Sequence, residues 1–183
     1  MAYFDNAATT YPKPECVYSF MDEFYRNHGG SAGRGDYALA RSAKGVIEET
    51  RNLLKELLHC PAKQVVFTPT ATIALNMIIQ GMIIGGVRNV YISPFEHNAV
   101  TRTLHHFERS GVVTVTDLSV SDSLQYDIPR IRYQFEELKP DLIIVSHASN
   151  VMGLVAPVEE IFSLGKTYGA VTLVDMAHTV VPS

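Results

Sequence analysis

Between residues 89 and 175 the chain repeats one alternation: a short apolar run, a segment of helical spacing, then another apolar run. The runs are NVYIS (89–93), VVTVT (112–116), LIIVS (142–146) and VTLVD (171–175), and helical spacing fills 98–110, 128–138 and 158–168. Strands that are apolar nearly throughout must be covered on both faces, and intervening helices provide that cover. The expected fold class is therefore α/β, a mostly parallel sheet with helices on both faces. No internal repeat is evident.

The stretch ahead of this series, QVVFTPTATIALNMIIQ (64–80), reads as a buried opening strand at Val65, Val66 and Phe67, a polar turn and a helix. Pro69 stops the strand, and Thr70 or Thr72 can cap the helix. Apolar Ile73, Met77 and Met82, with Ala74, Leu75 and Ile78, define one broad helical face. Free amides and the positive end of the helix dipole make such a turn a seat for phosphate. The same pattern also describes an ordinary capped helix.

Upstream, residues 3–14 form a turn-rich lead-in with two prolines and the Asp5-Asn6 pair. Val17, Phe20, Met21 and Phe24 give 15–27 helical spacing, and four glycines follow between His28 and Gly35. Those glycines fit either a linker or a loop that lets backbone approach a ligand. Residues 37–58 read as a long amphipathic helix or a helix pair with a solvated charged face. The expected organisation is an N-terminal arm with helices over 1–60 and a sheet domain over 61–183.

Composition narrows the function classes. At 46% apolar and 19% charged residues the chain is an ordinary globular protein, and a net charge of −4 offers no basic surface for nucleic acid. Cys16 and Cys60 are too few for a disulfide framework and suit a reducing compartment, so the expected location is the cytoplasm. The most hydrophobic window, 77–87, is short and broken by Gln80, Gly81, Gly85 and Gly86, so no membrane span is expected.

Ligands of open parallel sheets gather beyond the carboxyl ends of the strands. At those ends this sequence places Thr70, Ala71 and Thr72; Glu96, His97 and Asn98; Ser146, His147, Ser149 and Asn150; and Asp175 with His178. That is more polar chemistry than a structural rim requires. Each residue has a plainer alternative: His97 as a helix-start residue, Asn150 as a turn former. Asp175 ends an apolar run, so its carboxylate needs a cationic or donor partner. His105, His106 and Glu108 hint at a metal, but adjacent helical residues face apart, and no metal site is expected.

Taken together, DNAATTYPKP, FTPTATIALN, EHNAV, SHASNVMG and LVDMAH, in order and across essentially the whole chain, resemble the cysteine desulfurase and selenocysteine lyase group of the class V aminotransferase-like, pyridoxal 5'-phosphate (PLP) enzymes. The resemblance implies the large domain of PLP-dependent transferase fold-type I, here truncated, with a seven-stranded sheet, a smaller second domain and a homodimer in the full enzyme. It implies a small amino-acid substrate, losing sulfur or selenium from cysteine or selenocysteine to leave alanine. By motif, Ala71 and Thr72 would contact the cofactor phosphate. His97 would stack on the pyridine ring, Asn150 would bond near its phenolic oxygen, and Asp175 would pair with its protonated nitrogen. His97 and Asp175 would be the catalytic pair.

Two departures accompany the resemblance. His178 stands where the family pattern has glutamine; it still donates a hydrogen bond but titrates. The family's Schiff-base lysine and sulfur-accepting cysteine belong to a later segment than any in this sequence. None of Lys13, Lys44, Lys55, Lys63, Lys139 or Lys166 has that context, and Cys16 and Cys60 read as structural. The expectation is the N-terminal part of such an enzyme, inactive alone. Alternatives are a non-catalytic PLP-binding or dimerisation module, or a PLP aminotransferase or lyase for another amino acid. An unrelated nucleotide-binding domain is disfavoured, because no GxGxxG or Walker loop follows the opening strand.

Overall fold

A computed structural model describes residues 2–6 and 8–179. It divides into two compact units, one reaching to Phe67 and one beginning at Thr68.

In the first unit, α1 (Glu15–His28) and α2 (Ala38–Leu57) pack together. Segment 37–58 is thus one helix of 20 residues rather than a pair. The Phe20, Phe24 and His28 rings stack along α1, and the His28 Nδ1 lies 3.1 Å from the Ser42 hydroxyl of α2. Cys16 is exposed and Cys60 half-buried, both unpaired.

The opening strand expected at Val65–Phe67 is not a strand. No ladder forms there, and Val66 and Phe67 are exposed. The apolar sequence has strand chemistry, but a strand exists only through a neighbour's hydrogen bonds, and none of the described residues pairs with it.

The second unit carries α3 (Ala71–Ile84), β1 (Asn89–Ile92), α4 (Asn98–Arg109), β2 (Thr114–Asp117), α5 (Ile128–Glu137), β3 (Leu142–Ser146), α6 (Val158–Thr167) and β4 (Val171–Asp175). The four strands form one all-parallel sheet in the order β2-β1-β3-β4. This is the expected α/β architecture with helices on both faces. Strand alternation divides the core in two. Val90, Ile92, Leu142 and Ile144 pack with α3 and α4 through Leu75, Ile79, Ile83, Val100 and Leu104. Tyr91, Ile143 and Val145 face the opposite way, against α5 and α6 through Ile131, Phe135, Ile161 and Leu164. Gly165 permits the close approach of α6, since a Cβ there would collide with the Ile143 side chain.

The buried stripe of α3 differs from the expected one. Leu75, Ile79 and Ile83 face the sheet, whereas Ile73, Met77, Ile78 and Ile84 are exposed. An almost wholly apolar helix has no polar side to mark which face turns inward.

Candidate functional site

Topology decides which polar groups share an end of the sheet. α3 ends at Ile84, four residues before β1 begins, so its C-terminus lies at the amino end of the strands. Its axis then carries the N-terminus, with Thr70, Ala71 and Thr72, to the carboxyl end. Loops leaving β1, β3 and β4 at that same end carry Glu96 and His97, His147 to Asn150, and Asp175 to His178.

At the start of α3, Thr70 is the N-cap. Its Oγ1 accepts from the Ile73 amide at 3.2 Å, and its carbonyl accepts from Ala74. Among the described residues no acceptor meets the amides of Ala71 and Thr72, and both residues are exposed. The first turn therefore presents two free N–H donors on the positive end of a 14-residue helix.

His97 is the N-cap of α4, its Nδ1 accepting from the Ala99 amide at 3.1 Å. Accepting at Nδ1 leaves the neutral ring's proton on Nε2 and anchors the ring by one edge, with its faces uncommitted. The helix-start reading and the ring-stacking reading are thus compatible, since capping uses the edge and stacking uses a face.

Asp175 is half-buried at the end of β4, and its Oδ1 accepts from the Ala177 amide at 3.0 Å. This is the donor partner that its position demanded. β3 and β4 are in register there, Ser146 opposite Asp175, and the His147 amide donates to the Asp175 carbonyl. The loop after β3 folds back on itself through the Ala148–Val155 bridge, with the Ser149 hydroxyl accepting from the Met152 amide at 3.2 Å. Asn150 stands exposed in that turn, and His178 is exposed beyond Asp175. His105 and His106 are exposed on α4, and among the described residues no three His, Cys, Asp or Glu side chains gather as a metal site would need.

Sequence reasoning placed Glu96 at this rim without assigning it a part. Its carboxylate accepts from the Ser146 amide at 2.5 Å and from the Ser146 hydroxyl at 2.7 Å. Burial pushes this carboxyl up to about 7; the two Ser146 hydrogen bonds oppose the rise and the Asp175 charge adds to it. Only cross-strand register brings residues 96 and 146 together, and spacing along the chain carries no sign of it. Nearby, the Tyr126 phenol, 2.6 Å from the Ser93 hydroxyl, is also shifted up by burial.

The donor set fits a phosphorylated, cationic aromatic ring: open amides for an anion, a flat imidazole, and a carboxylate with one oxygen already held by an amide. Comparisons with known proteins point the same way. Residues 2–182 match the aminotransferase class-V family model. A probable cysteine desulfurase from Halalkalibacterium halodurans is 27% identical over 98% of this chain and 45% of its own length. Another from Xylella fastidiosa is 30% identical over 96% of the chain and 42% of its own length. The apo structure of a cysteine desulfurase from Thermococcus onnurineus superposes with a TM-score of 0.86 at 26% identity, over 94% of this chain and 43% of that one. The structure of SspA in complex with cysteine gives a TM-score of 0.85 at 25% identity, covering 98% and 51%. The chain thus spans a little under half the length of the curated relatives named here. With the family model covering nearly all of it, the chain belongs to the class-V aminotransferase family of PLP-dependent proteins.

Proposed function

We propose that this chain is the PLP-binding N-terminal part of a cysteine desulfurase-like enzyme, which removes sulfur or selenium from cysteine or selenocysteine and leaves alanine. The carrying observation is the gathering, at one end of one sheet, of the open amides of α3, the edge-anchored His97 ring and the amide-held Asp175 carboxylate. Relatives named as cysteine desulfurases and a neighbouring structure described with cysteine bound support the substrate class.

In this reading the Ala71 and Thr72 amides hold the cofactor phosphate. His97 stacks on the ring by a face, while its Nδ1 stays tied to Ala99. Asn150 and His178 donate toward the ring's phenolic oxygen. Asp175 holds the proton on the pyridine nitrogen, its other oxygen being kept in place by Ala177. The bound cofactor supplies an electron sink for a substrate carbanion.

Amine chemistry at this site is a separate matter. Lys139 precedes β3 and Lys166 closes α6 ahead of β4, so within this unit both lie at the amino end of the sheet, opposite the site. We infer that these 183 residues bind PLP without a covalent link and do not turn over cysteine alone. Homodimerisation is supported by the apolar stripe Ile73, Met77, Ile78 and Ile84 on the outer side of α3, which a second copy would cover. A cytoplasmic setting is supported by the two unpaired cysteines. Among the described residues no helix is long and apolar enough to cross a membrane.

The test is an absorbance titration of the chain with PLP, before and after borohydride. Saturable binding that dialysis reverses after borohydride is the expected result. Covalent fixation would show that one of the chain's lysines reaches the cofactor, and absence of binding would defeat the assignment.

A further inference from the structure

The loop from β1 to α4 is pinned at both ends. The Ser93 amide donates to the Ile144 carbonyl at 3.1 Å, prolonging the β1–β3 pairing by one bond, and the Ser93 hydroxyl accepts from the Phe95 amide at 3.1 Å. β1 then turns away. The next β3 amide facing β1, that of Ser146, would be left without the carbonyl that a continuing strand supplies. Glu96 takes that place with one oxygen and uses the other for the Ser146 hydroxyl. Ser146 is buried and stands opposite Asp175 in the β3–β4 register, and the residue after Glu96 is His97.

We propose that Glu96 is a positioning residue of the cofactor site: by clasping the amide and hydroxyl of Ser146, it fixes the loop bearing His97 against the strand that sets Asp175. The proposal rests on the PLP reading above for what His97 and Asp175 touch. The clasp itself stands on the geometry. An ionised carboxylate accepts both Ser146 hydrogens; a protonated one accepts from the amide and donates to the hydroxyl, so the clasp persists in either state. Glutamine reproduces the second arrangement, whereas leucine fills similar space and offers no polar atom.

The experiment compares the 183-residue chain with Glu96→Gln, Glu96→Leu and Ser146→Ala. PLP affinity is read by absorbance titration, and the His97 ring and Asp175 amide signals by NMR without PLP. Glu96→Leu is expected to weaken PLP about tenfold and to shift the His97 and Asp175 signals, the size expected for losing both hydrogen bonds to a buried serine. Glu96→Gln is expected to stay within about twofold of wild type with those signals in place. Ser146→Ala, which keeps the amide bond, should fall between them, and it carries the test if the leucine variant does not fold. Equal binding by all four proteins, or equal loss in the glutamine and leucine variants, would overturn the clasp. Should wild type bind no PLP, the cofactor reading fails. The NMR signals then decide the clasp alone: movement in leucine but not glutamine supports it, and no movement rejects it.

Discussion

Two carboxylates join β1 to β3, one at each end of the sheet, and they do so differently. At the amino end, Asp141 Oδ2 accepts from the Arg88 and Asn89 amides, both at 2.9 Å, while the Asp141 amide donates to the Asn89 carbonyl. At the carboxyl end, Glu96 reaches from a loop to the amide and hydroxyl of one serine, with Asp175 in register beyond it. Asp141 satisfies backbone that the sheet itself leaves open. Glu96 does so beside a second acid, where a glutamine would satisfy Ser146 without the cost of burying charge. The acid at the amino end serves the ladder alone, whereas the one at the carboxyl end ties a loop of the candidate site to the sheet.

The largest contrast is expected from Asp141→Ala. It strips two backbone amides of a charged acceptor and should cost about 3 to 4 kcal/mol in urea unfolding. PLP affinity measured under folded conditions should hold within about twofold, because the lost bonds lie at the far end of the sheet. A matching collapse in affinity would erase the distinction between the ends.

Next in size is the pH response of Glu96. Its folded-state carboxyl sits above its unfolded value, so the native state holds this proton more tightly. The favourable contribution is therefore complete below the unfolded value of 4.5 and is lost as pH rises through about 7. The full rise corresponds to about 3 kcal/mol, and a half-buried side chain that shares solvent should show about 2. Wild type and Glu96→Gln should thus have matching stability near pH 4 and diverge by pH 8, with the variant the more stable. Parallel urea curves at both values would mean that the carboxyl is not shifted.

Much of this contrast was invisible in the sequence, for a definite reason. Apolar runs marked two strands closely: LIIVS and VTLVD are β3 and β4 to the residue, although only β3 is buried throughout, because a continuous apolar run leaves a one-dimensional trace. Val65–Phe67 carries the same trace without a strand, since pairing depends on a partner elsewhere in the chain. The inward face of α3 was misread because its apolar residues surround it. Asp175 was legible as an acid ending an apolar run, and Thr70 as a cap. The Glu96–Ser146 clasp was not, because it depends on β1 and β3 being neighbours, a property of strand order.

Asp175→Asn sharpens the comparison at the carboxyl end itself. Asparagine keeps an oxygen for the Ala177 amide, so stability should change by less than about 1 kcal/mol. It loses the charge assigned to the pyridine nitrogen, and PLP affinity should fall about tenfold. If Asp175→Asn leaves affinity unchanged, the cofactor does not meet this carboxylate.

The smallest effect belongs to Thr70→Ala, which touches the same end through a helix instead of a strand. Loss of the Oγ1 bond to the Ile73 amide should cost about 1 kcal/mol, as N-cap removal does. It also frays the turn that presents the Ala71 and Thr72 amides, so affinity for PLP should weaken a few-fold while affinity for pyridoxal, which lacks the phosphate, should not. Thr70→Ser keeps the cap and should restore both. This separates the anion seat from the ring site: a loss shared equally by PLP and pyridoxal would move the phosphate away from α3, and with it the assignment of Ala71 and Thr72.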